Sequence, residues 1–309
     1  MDRYHATSGF TPRLFGIAPA ALVGLDKILQ KEGTVLKKCT LPRVFFLILA
    51  WAISSGATAE VSVSPGGVVR WPGAGIDRCG QAGEVWDADG DACWYPIDLL
   101  ASEGDLQLSR WRQGRKETTN VRVSPYPYEV QHITLGDDSQ VNLSAADLAR
   151  VREENQRIGA LWALSTPRRF ELPLSAPLES LPEGGRFGSR RFFNNQPRSP
   201  HTGADYSAAA GEPVLAVADG MVVLADDFFF SGGSVFLDHG AGLISMYFHL
   251  RELAVEQGSE VRRGEVIGSV GQTGRATGPH LHLGLRWRGA RVDPSLLLAP
   301  LDQIPTISE

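Results

Sequence analysis

The hydrophobic pattern of this chain is one of short apolar runs broken by turn residues. Such runs occupy residues 61–63, 67–71 and 119–123 in the first half of the chain, and 234–237 and 266–270 in the second. Gly and Pro, 34 and 19 of the 309 residues, separate them. Short runs bounded by Gly, Pro and Asp are typical of β-strands and turns. We therefore predict a mostly β protein.

Two segments of the second half permit more detailed predictions. Residues 214–217 and 221–224 flank Ala218-Asp219-Gly220, which predicts a β-hairpin. Residues 243–250 alternate as a strand does, with successive side chains on opposite faces. The alternation places these four residues on one face: Leu243, Ser245, Tyr247 and His249.

One helix is predicted between the two β-rich parts. Ser144-Ala145-Ala146-Asp147 has the spacing of a capping box, with Asp in place of the usual Glu or Gln. Apolar residues at helical spacing follow as far as Leu164, and Thr166-Pro167 ends the pattern. We expect this helix to connect two domains.

The N-terminal part has the pattern of an export signal. Basic residues at 37, 38 and 43 precede the apolar run 44–53, and Ala57-Thr58-Ala59 matches an A-x-A cleavage motif. The run is shorter than the about 20 residues of a spanning helix. We predict cleavage after Ala59, with a retained membrane anchor as the alternative. Since residues 1–34 make the segment before the signal unusually long, we hypothesise that translation starts near Val35 or Leu36.

The net charge and the number of cysteines limit the classes of protein to which this chain can belong. The net charge is −5 with both signs interspersed, which excludes the basic footprint of a nucleic-acid-binding protein. Cys39 would leave with the signal, so Cys79 and Cys93 remain as an even pair in an exported chain. This favours one disulfide over two free thiols.

An acidic segment, Asp87-Ala88-Asp89-Gly90-Asp91, resembles the beginning of a calcium loop. However, Ala92 stands where the EF-hand loop has Gly, and Asp98 stands where it has a bidentate Glu. We interpret the segment as an acidic turn.

The candidate chemistry lies in the second half. His280 and His282 follow the glycine-rich segment 271–278, and in a strand residues two apart share a face. His201 and Asp205, four residues apart, and His249 add further polar groups. Two imidazoles side by side are costly to bury without a partner, and a divalent metal is the obvious one.

Other motifs are excluded or left open. No H-E-x-x-H helix is present. The glycine-rich segment 271–278 lacks the residue order of a phosphate loop. We interpret its glycines as allowing the backbone to approach either the strand of His280 and His282 or an extended peptide substrate. Arg190 could hold an internal acid or a substrate carboxylate. We interpret His239 as a strand-end residue and His132 as a surface or interdomain residue.

Three blocks together resemble the signature of the lysostaphin-type (LytM-type) zinc metalloendopeptidases, which cut peptide cross-bridges in bacterial cell walls. The blocks are His201-x-x-x-Asp205, Tyr247-Phe248-His249-Leu250 and Gly278-Pro279-His280-Leu281-His282. The resemblance covers roughly the last 120 residues. It implies an all-β fold of the duplicated hybrid motif type and the zinc ligands His201, Asp205 and His282. It also implies that His249 and His280 are catalytic, one taking the proton of the zinc-bound water and the other stabilising the intermediate or protonating the leaving amine. Which does which stays open.

The expected domain organisation follows from these patterns. Residues 1–59 form an N-terminal extension and signal peptide, and residues 60–140 a small β-rich domain with the Cys79–Cys93 disulfide. Residues 141–183 form the helix and a linker, 184–298 the zinc metallopeptidase domain, and 299–309 a C-terminal tail.

The function implied by the resemblance is that of an exported endopeptidase in the periplasm or cell envelope. It would hydrolyse peptidoglycan peptide stems by metal-activated water. We favour D-Ala–diaminopimelate links as the bond that is cut, with glycine bridges or a protein substrate as the alternatives. The alternatives are a catalytically silent peptidoglycan-binding protein or amidase activator, and a wall-binding module with a structural zinc. Structural zinc sites usually have four protein ligands, often Cys, which disfavours the last. A regulatory partner could displace the N-terminal domain, or the segment around Asn194-Asn195, from the groove. We expect no nucleic-acid partner, and membrane contact only if the signal segment is retained.

Overall fold

The computed structural model describes residues 61–134, 136 and 142–308. The predicted signal segment, its cleavage motif and Cys39 lie outside these residues. Every described residue belongs to one compact unit. In the described ranges, no helix is both long enough and apolar enough to cross a membrane.

The chain forms the mostly β fold that was predicted. The strands up to the helix are β1 (Ser62–Val63), β2 (Val68–Pro72), β3 (Ile76–Gln81), β4 (Glu84–Asp87), β5 (Ala92–Pro96), β6 (Gly104–Arg112), β7 (Arg115–Val123) and β8 (Val130–Ile133). The helix α1 (Ala145–Ala160) follows. The later strands are β9 (Arg190–Phe193), β10 (Gln196–Pro197), β11 (Gly203–Ser207), β12 (Pro213–Leu215), β13 (Gly220–Phe228), β14 (Gly232–Asp238), β15 (Leu243–Leu250), β16 (Glu252–Leu253), β17 (Glu260–Val261), β18 (Val266–Ser269), β19 (His280–Trp287) and β20 (Ala290–Val292). A short helix, α2 (Pro294–Leu298), comes last.

The N-terminal β region is built around the predicted disulfide. One sheet has the strand order β1-β7-β6-β3-β4, and β2 pairs with β5 beside it. Cys79 on β3 bonds Cys93 on β5, which confirms the predicted pairing. Both cysteines are fully buried with Tyr95, whose hydroxyl donates to the Ser109 carbonyl at 2.7 Å. The disulfide therefore joins the two sheets through a shared core.

The acidic segment between β4 and β5 is the turn that was predicted. The backbone amides of Asp89 and Ala92 each donate to the other's carbonyl, at 3.0 and 3.1 Å. The Asp89 carboxylate forms an ion pair with Arg168.

Helix α1 begins where its sequence predicts. The Ser144 side chain accepts a hydrogen bond from the Asp147 amide at 3.1 Å and so caps the first turn. The apolar face of the helix packs with Phe228, Phe236 and Met246 of the second half. Glu154 is buried, and both of its oxygens accept from the Phe229 amide at 3.1 Å. The helix is thus fixed to the end of strand β13.

The second half contains a large antiparallel sheet with the strand order β11-β19-β15-β14-β13-β17, to which β20 adds beside β19. A smaller sheet, β12-β18-β16, lies apart from it in the strand pairing. The largest core cluster of this half includes the fully buried Val214, Ile267, Tyr247 and Leu283, which come from both sheets. This core lies between the two sheets, and buried apolar residues of both sheets fill it.

The predicted hairpin at Ala218-Asp219-Gly220 is wrong. Strand β12 pairs with β18, whereas β13 pairs with β14 and β17. The segment instead carries the chain from the small sheet to the large one. It is held there by Asp219, whose carbonyl accepts from His239 Nδ1 at 2.7 Å and whose carboxylate accepts from the Arg263 amide at 2.7 Å.

The N-terminal β region and the second half contact each other directly. Trp94 packs on Trp287 with ring centroids 6.3 Å apart, and Asp98 accepts from both the side chain and the backbone of Arg291. Near the C-terminus, Ile307 donates to the Arg70 carbonyl at 2.9 Å and its side chain joins the N-terminal core. The predicted domain boundaries stay a prediction.

Candidate functional site

Strand register brings two polar residues side by side on one face of the large sheet. Asp205 on β11 lies directly opposite His282 on β19, and His282 lies opposite Phe248 on β15. The His282 ring stacks on the Phe248 ring, with 5.2 Å between centroids and 2° between planes. A Cβ on Gly203 would lie 2.5 Å from His282 Nε2, so this ring position requires glycine at 203.

His249 reaches the same face through a bulge that the sequence alternation did not predict. Phe248 and His249 both stand opposite Ser234 of β14, and His249 has a φ of +64°. The bulge reverses the alternation, because Leu250 now joins the core that contains Tyr247. The predicted face of Leu243, Ser245, Tyr247 and His249 is therefore wrong at its last member. His249 lies instead among the histidines of the site.

His201 precedes β11 and is fixed by the backbone around it. Its Nδ1 lies 2.9 Å from the Arg186 carbonyl, and its amide donates to the Ser189 carbonyl at 2.9 Å. A carbonyl oxygen only accepts, so Nδ1 carries the proton and Nε2 is left with a lone pair. The ring is buried.

Three potential ligand atoms converge. His201 Nε2 lies 3.0 Å from Asp205 Oδ1 and 2.8 Å from His282 Nδ1, and the last two atoms are 2.9 Å apart. These are the residues of a cluster that could hold a metal ion. The His201 lone pair faces a carboxylate oxygen, and two acceptors at this distance repel each other unless a cation or a proton lies between them.

The charges of these groups favour a cation. Burial lowers the pKa of His201, and it lowers the pKa of His282 to about 4, although Asp205 opposes both shifts. Burial raises the pKa of Asp205, but the adjacent side chains of His201 and His282 outweigh it and the net shift is downward. Two neutral imidazoles and an ionised carboxylate form the donor set that Zn²⁺ takes.

Arg191 holds the other oxygen of this carboxylate. Its guanidinium lies 3.0 Å from Asp205 Oδ2 and also donates to Gln131 Oε1 at 3.2 Å. Gln131 belongs to β8, which runs parallel to β9. The sequence analysis missed Arg191 and singled out its neighbour Arg190, which lies 4.5 Å over the Tyr126 ring. Neighbouring residues of a strand face opposite ways, so Arg190 lies away from Asp205, and within the described ranges it forms no ion pair.

His249 and His280 flank the cluster. Their Nδ1 atoms lie 2.8 Å from the carbonyls of Thr273 and Gly278 respectively, which leaves Nε2 of each ring as an acceptor. The two ring centroids are 4.8 Å apart, and His280 Nε2 lies 3.7 Å from Asp205 Oδ1. Burial, followed by the charges of His282 and His280, lowers the pKa of His249 to about 3. The structure thus places all five predicted site residues together.

A cavity of about 370 Å³ opens over this group. Its lining includes Asp205, His249, His280, Arg186, Arg191 and Arg275. Ile133, Phe193 and several residues of the glycine-rich segment 271–278 also line it. The cavity is open to a ligand that approaches the histidines.

The glycine-rich segment is anchored to the large sheet. The Thr273 hydroxyl donates to the Leu250 carbonyl at 2.8 Å and accepts from the Gly233 amide at 2.9 Å. Gly274 has a φ of +67°, and a Cβ there would lie 2.4 Å from the Gly232 nitrogen. The segment therefore approaches strand β14 as well as the strand of His280, to which Gly271 forms a bridge.

The two remaining described histidines lie elsewhere. His239, just beyond strand β14, is fully buried and hydrogen-bonds Ser245 at 2.7 Å on the core side of the large sheet. Burial lowers its pKa to about 4. His132 stacks on Phe192 at 5.0 Å.

Comparison with known proteins gives a consistent result. The sequence model of Peptidase family M23 matches residues 199–294. A candidate M23 peptidase from Pseudomonas aeruginosa with a crystal structure is 30% identical, with a TM-score of 0.59, over 76% of this chain and 94% of that chain. This similarity includes much of the region before the family match.

Two curated relatives match over about a third of this chain. The DD-carboxypeptidase/endopeptidase Mpg of Neisseria meningitidis serogroup B is 43% identical over 34% of this chain and 24% of its own length. The peptidoglycan DD-endopeptidase ShyA of Vibrio cholerae is 41% identical over 31% of this chain and 22% of its own length. The chain thus spans about a quarter of the length of these relatives.

Proposed function

This chain belongs to peptidase family M23, and from that premise we propose that it is a zinc-dependent endopeptidase that hydrolyses peptide cross-links of peptidoglycan. One observation carries the proposal. Three potential ligand atoms lie within 3.0 Å of one another beneath a cavity, and two further histidines present acceptor nitrogens beside them. The substrate class is supported by the relatives named as peptidoglycan DD-endopeptidases.

The residues that would hold the metal are His201 through Nε2, Asp205 through Oδ1 and His282 through Nδ1. Zinc is the family's usual metal. When bound, it would lower the pKa of a water molecule and polarise the scissile carbonyl.

The two flanking histidines would move the protons. Each is held with Nδ1 donating to a backbone carbonyl, at Thr273 for His249 and at Gly278 for His280. Each Nε2 can then accept a proton, and the carbonyl stabilises the resulting imidazolium. One ring would take the proton of the attacking water and the other would stabilise the developing charge or protonate the leaving amine.

This activity implies a place of action. Peptidoglycan lies outside the cytoplasmic membrane, so the proposed substrate requires an exported protein in the periplasm or cell envelope. The signal peptide predicted at residues 1–59 would supply the export step.

The proposal is tested on residues 60–309, which retain every described residue. Bound zinc and the release of soluble fragments from purified peptidoglycan are measured for the wild type and for three variants. His282→Ala should lose zinc and cleavage. His249→Ala and His280→Ala should retain zinc and lose cleavage by about 100-fold or more.

Two outcomes would contradict the proposal. Stoichiometric zinc without cleavage would favour the catalytically silent binding protein or amidase activator. The absence of stoichiometric zinc from the wild type would remove the metal-dependent mechanism itself.

A further inference from the structure

The cavity over the histidines is basic, although the chain as a whole has a net charge of −5. Three guanidinium groups line it, those of Arg186, Arg191 and Arg275, against the carboxylates of Glu183 and Asp205. Asp205 is already bound to Arg191 and belongs to the ligand cluster. An excess of positive charge in a cavity concentrates ligands of the opposite sign.

Arg275 is held rigidly at this cavity. Its guanidinium carbon lies 4.4 Å from the ring centroids of both Phe193 and Phe230, so two aromatic side chains contact it. Its backbone amide donates to the Phe230 carbonyl at 2.8 Å. Burial, followed by the charges of Arg191 and Arg198, lowers the pKa of Arg275 to about 10, and the group stays charged at neutral pH. A fixed guanidinium loses little conformational entropy when it binds a ligand.

Arg186 is exposed, and within the part of the chain that the structure describes it forms no ion pair. Its backbone has a φ of +73°, which is uncommon for a residue other than glycine. The carbonyl of the same residue accepts the His201 Nδ1 proton. Arg186 is therefore anchored to the ligand cluster by its backbone, and its side chain lines the cavity.

We propose that Arg186 and Arg275 bind a free carboxylate that the substrate carries beside the scissile bond. This inference rests on the proposed function. Guanidinium groups bind carboxylates through paired, charge-assisted hydrogen bonds. The Arg275 guanidinium, which packs on two aromatic rings, and the Arg186 side chain line the same cavity.

The inference separates the two candidate cross-links. In a D-Ala–diaminopimelate link, the D-Ala carboxyl is consumed in the amide, whereas the diaminopimelate centre that supplies the amine keeps its own carboxylate. A glycine bridge has no free carboxylate at either residue of the bond. A carboxylate site in this cavity would therefore favour the D-Ala–diaminopimelate link.

The test compares two synthetic peptides that share one D-Ala–diaminopimelate bond. In one, the diaminopimelate carboxylate beside the bond is free, and in the other it is a carboxamide of nearly the same shape. Binding is measured by calorimetry and cleavage by chromatography, with residues 60–309 loaded with zinc. The wild type should bind and cleave the acid about tenfold or more in preference to the amide.

Variants assign the preference to the two arginines. Arg186→Gln and Arg275→Gln should each reduce the acid-to-amide ratio toward one while zinc content stays unchanged. Arg275→Lys should keep part of the preference, because it keeps the charge but not the planar group. Arg262→Gln, an exposed arginine that does not line the cavity, serves as the matched control and should keep the full ratio.

The outcomes distinguish this inference from the proposed function. Equal binding of the acid and the amide by the wild type would overturn the inference, even if both were cleaved. Preferential binding of the acid without cleavage would support the carboxylate site and contradict the peptidase activity. A ratio unchanged in both glutamine variants would also overturn the assignment.

Discussion

At the scale of single residues, the position of the Asp205 carboxylate depends on Arg191. The guanidinium holds Oδ2 at 3.0 Å, so that Oδ1 faces His201 and His282. Partners that orient a metal ligand typically contribute 10- to 100-fold to metal affinity. We expect Arg191→Met to weaken zinc binding by about that factor, measured by competition with a chromophoric chelator.

Arg190→Met provides the control for this prediction. Arg190 neighbours Arg191 on β9, but it lies over Tyr126 and does not line the cavity. Its variant should bind zinc as the wild type does. Equal zinc affinity in the Arg191 and Arg190 variants would show that Asp205 does not need the ion pair.

For the individual site residues, the sequence predicted which of them lie together better than it predicted the strand face on which each side chain lies. His280 and His282 share a face because a regular strand imposes it, and the four-residue spacing of His201 and Asp205 belongs to a motif. His249 was placed on the wrong face, because one positive φ reverses the alternation and no residue type near it signals a bulge. Arg191 was missed because its role depends on which face of β9 turns toward β11.

At the scale of elements, helix α1 is coupled to the large sheet by one buried carboxylate. Glu154 accepts from the Phe229 amide and from the Arg150 side chain, the latter at 2.7 Å. Removing it leaves a donor unsatisfied beside the helix. We expect Glu154→Ala to lower the free energy of unfolding by about 1–3 kcal/mol, measured by urea denaturation. Glu153→Ala, at the exposed neighbouring position, should change it little.

The glycine-rich segment depends in the same way on Thr273. Its hydroxyl joins the segment to Leu250 and Gly233, and its carbonyl orients His249. Thr273→Val removes both hydroxyl contacts and should lower the free energy of unfolding by about 1–3 kcal/mol. Cleavage should fall as well, since His249 loses a fixed orientation, while zinc content stays constant. Thr273→Ser should restore both; a serine variant as impaired as the valine variant would exclude the hydroxyl as the cause.

The helices and strands that could be predicted are those whose sequence signals lie within a few residues of one another. Helix α1 was found because its cap residue Ser144 and its apolar spacing are adjacent in sequence. The strand pairing of β12 was not found, since β18 lies about 50 residues further along the chain and the intervening turn looks like a hairpin. Long-range pairing is decided by the packing of the two sheets, which a short window of sequence does not contain.

At the scale of the whole molecule, the N-terminal β region and the second half share a hydrophobic core. Val68 and Trp94 from the first belong to the same buried cluster as Trp287 and Leu285 from the second. Phe170 and Leu174, from the segment predicted as a linker, are also buried in it. A peptidase fragment starting near residue 184 would therefore lose part of its own core.

Because the core is shared, we expect the two regions to unfold together. A double variant with Cys79→Ala and Cys93→Ala lacks the cross-link, which joins two residues 14 positions apart in the sequence. The chain-entropy account of such a cross-link gives a loss of about 3 kcal/mol in the free energy of unfolding. The disulfide lies in the N-terminal region, yet the loss should reach the metal cluster through Trp94 and Asp98, which contact Trp287 and Arg291.

This expectation is checked by following urea unfolding with two probes, tryptophan fluorescence and zinc release. In the wild type and in the double variant, both probes should change at one midpoint, and that midpoint should be lower in the variant. Separate midpoints, with zinc released at an unchanged urea concentration in the double variant, would mean that the two regions are energetically independent. The predicted boundary near residue 184 would then separate two regions that are each stable alone. Regions that depend on one shared core would instead unfold in a single transition.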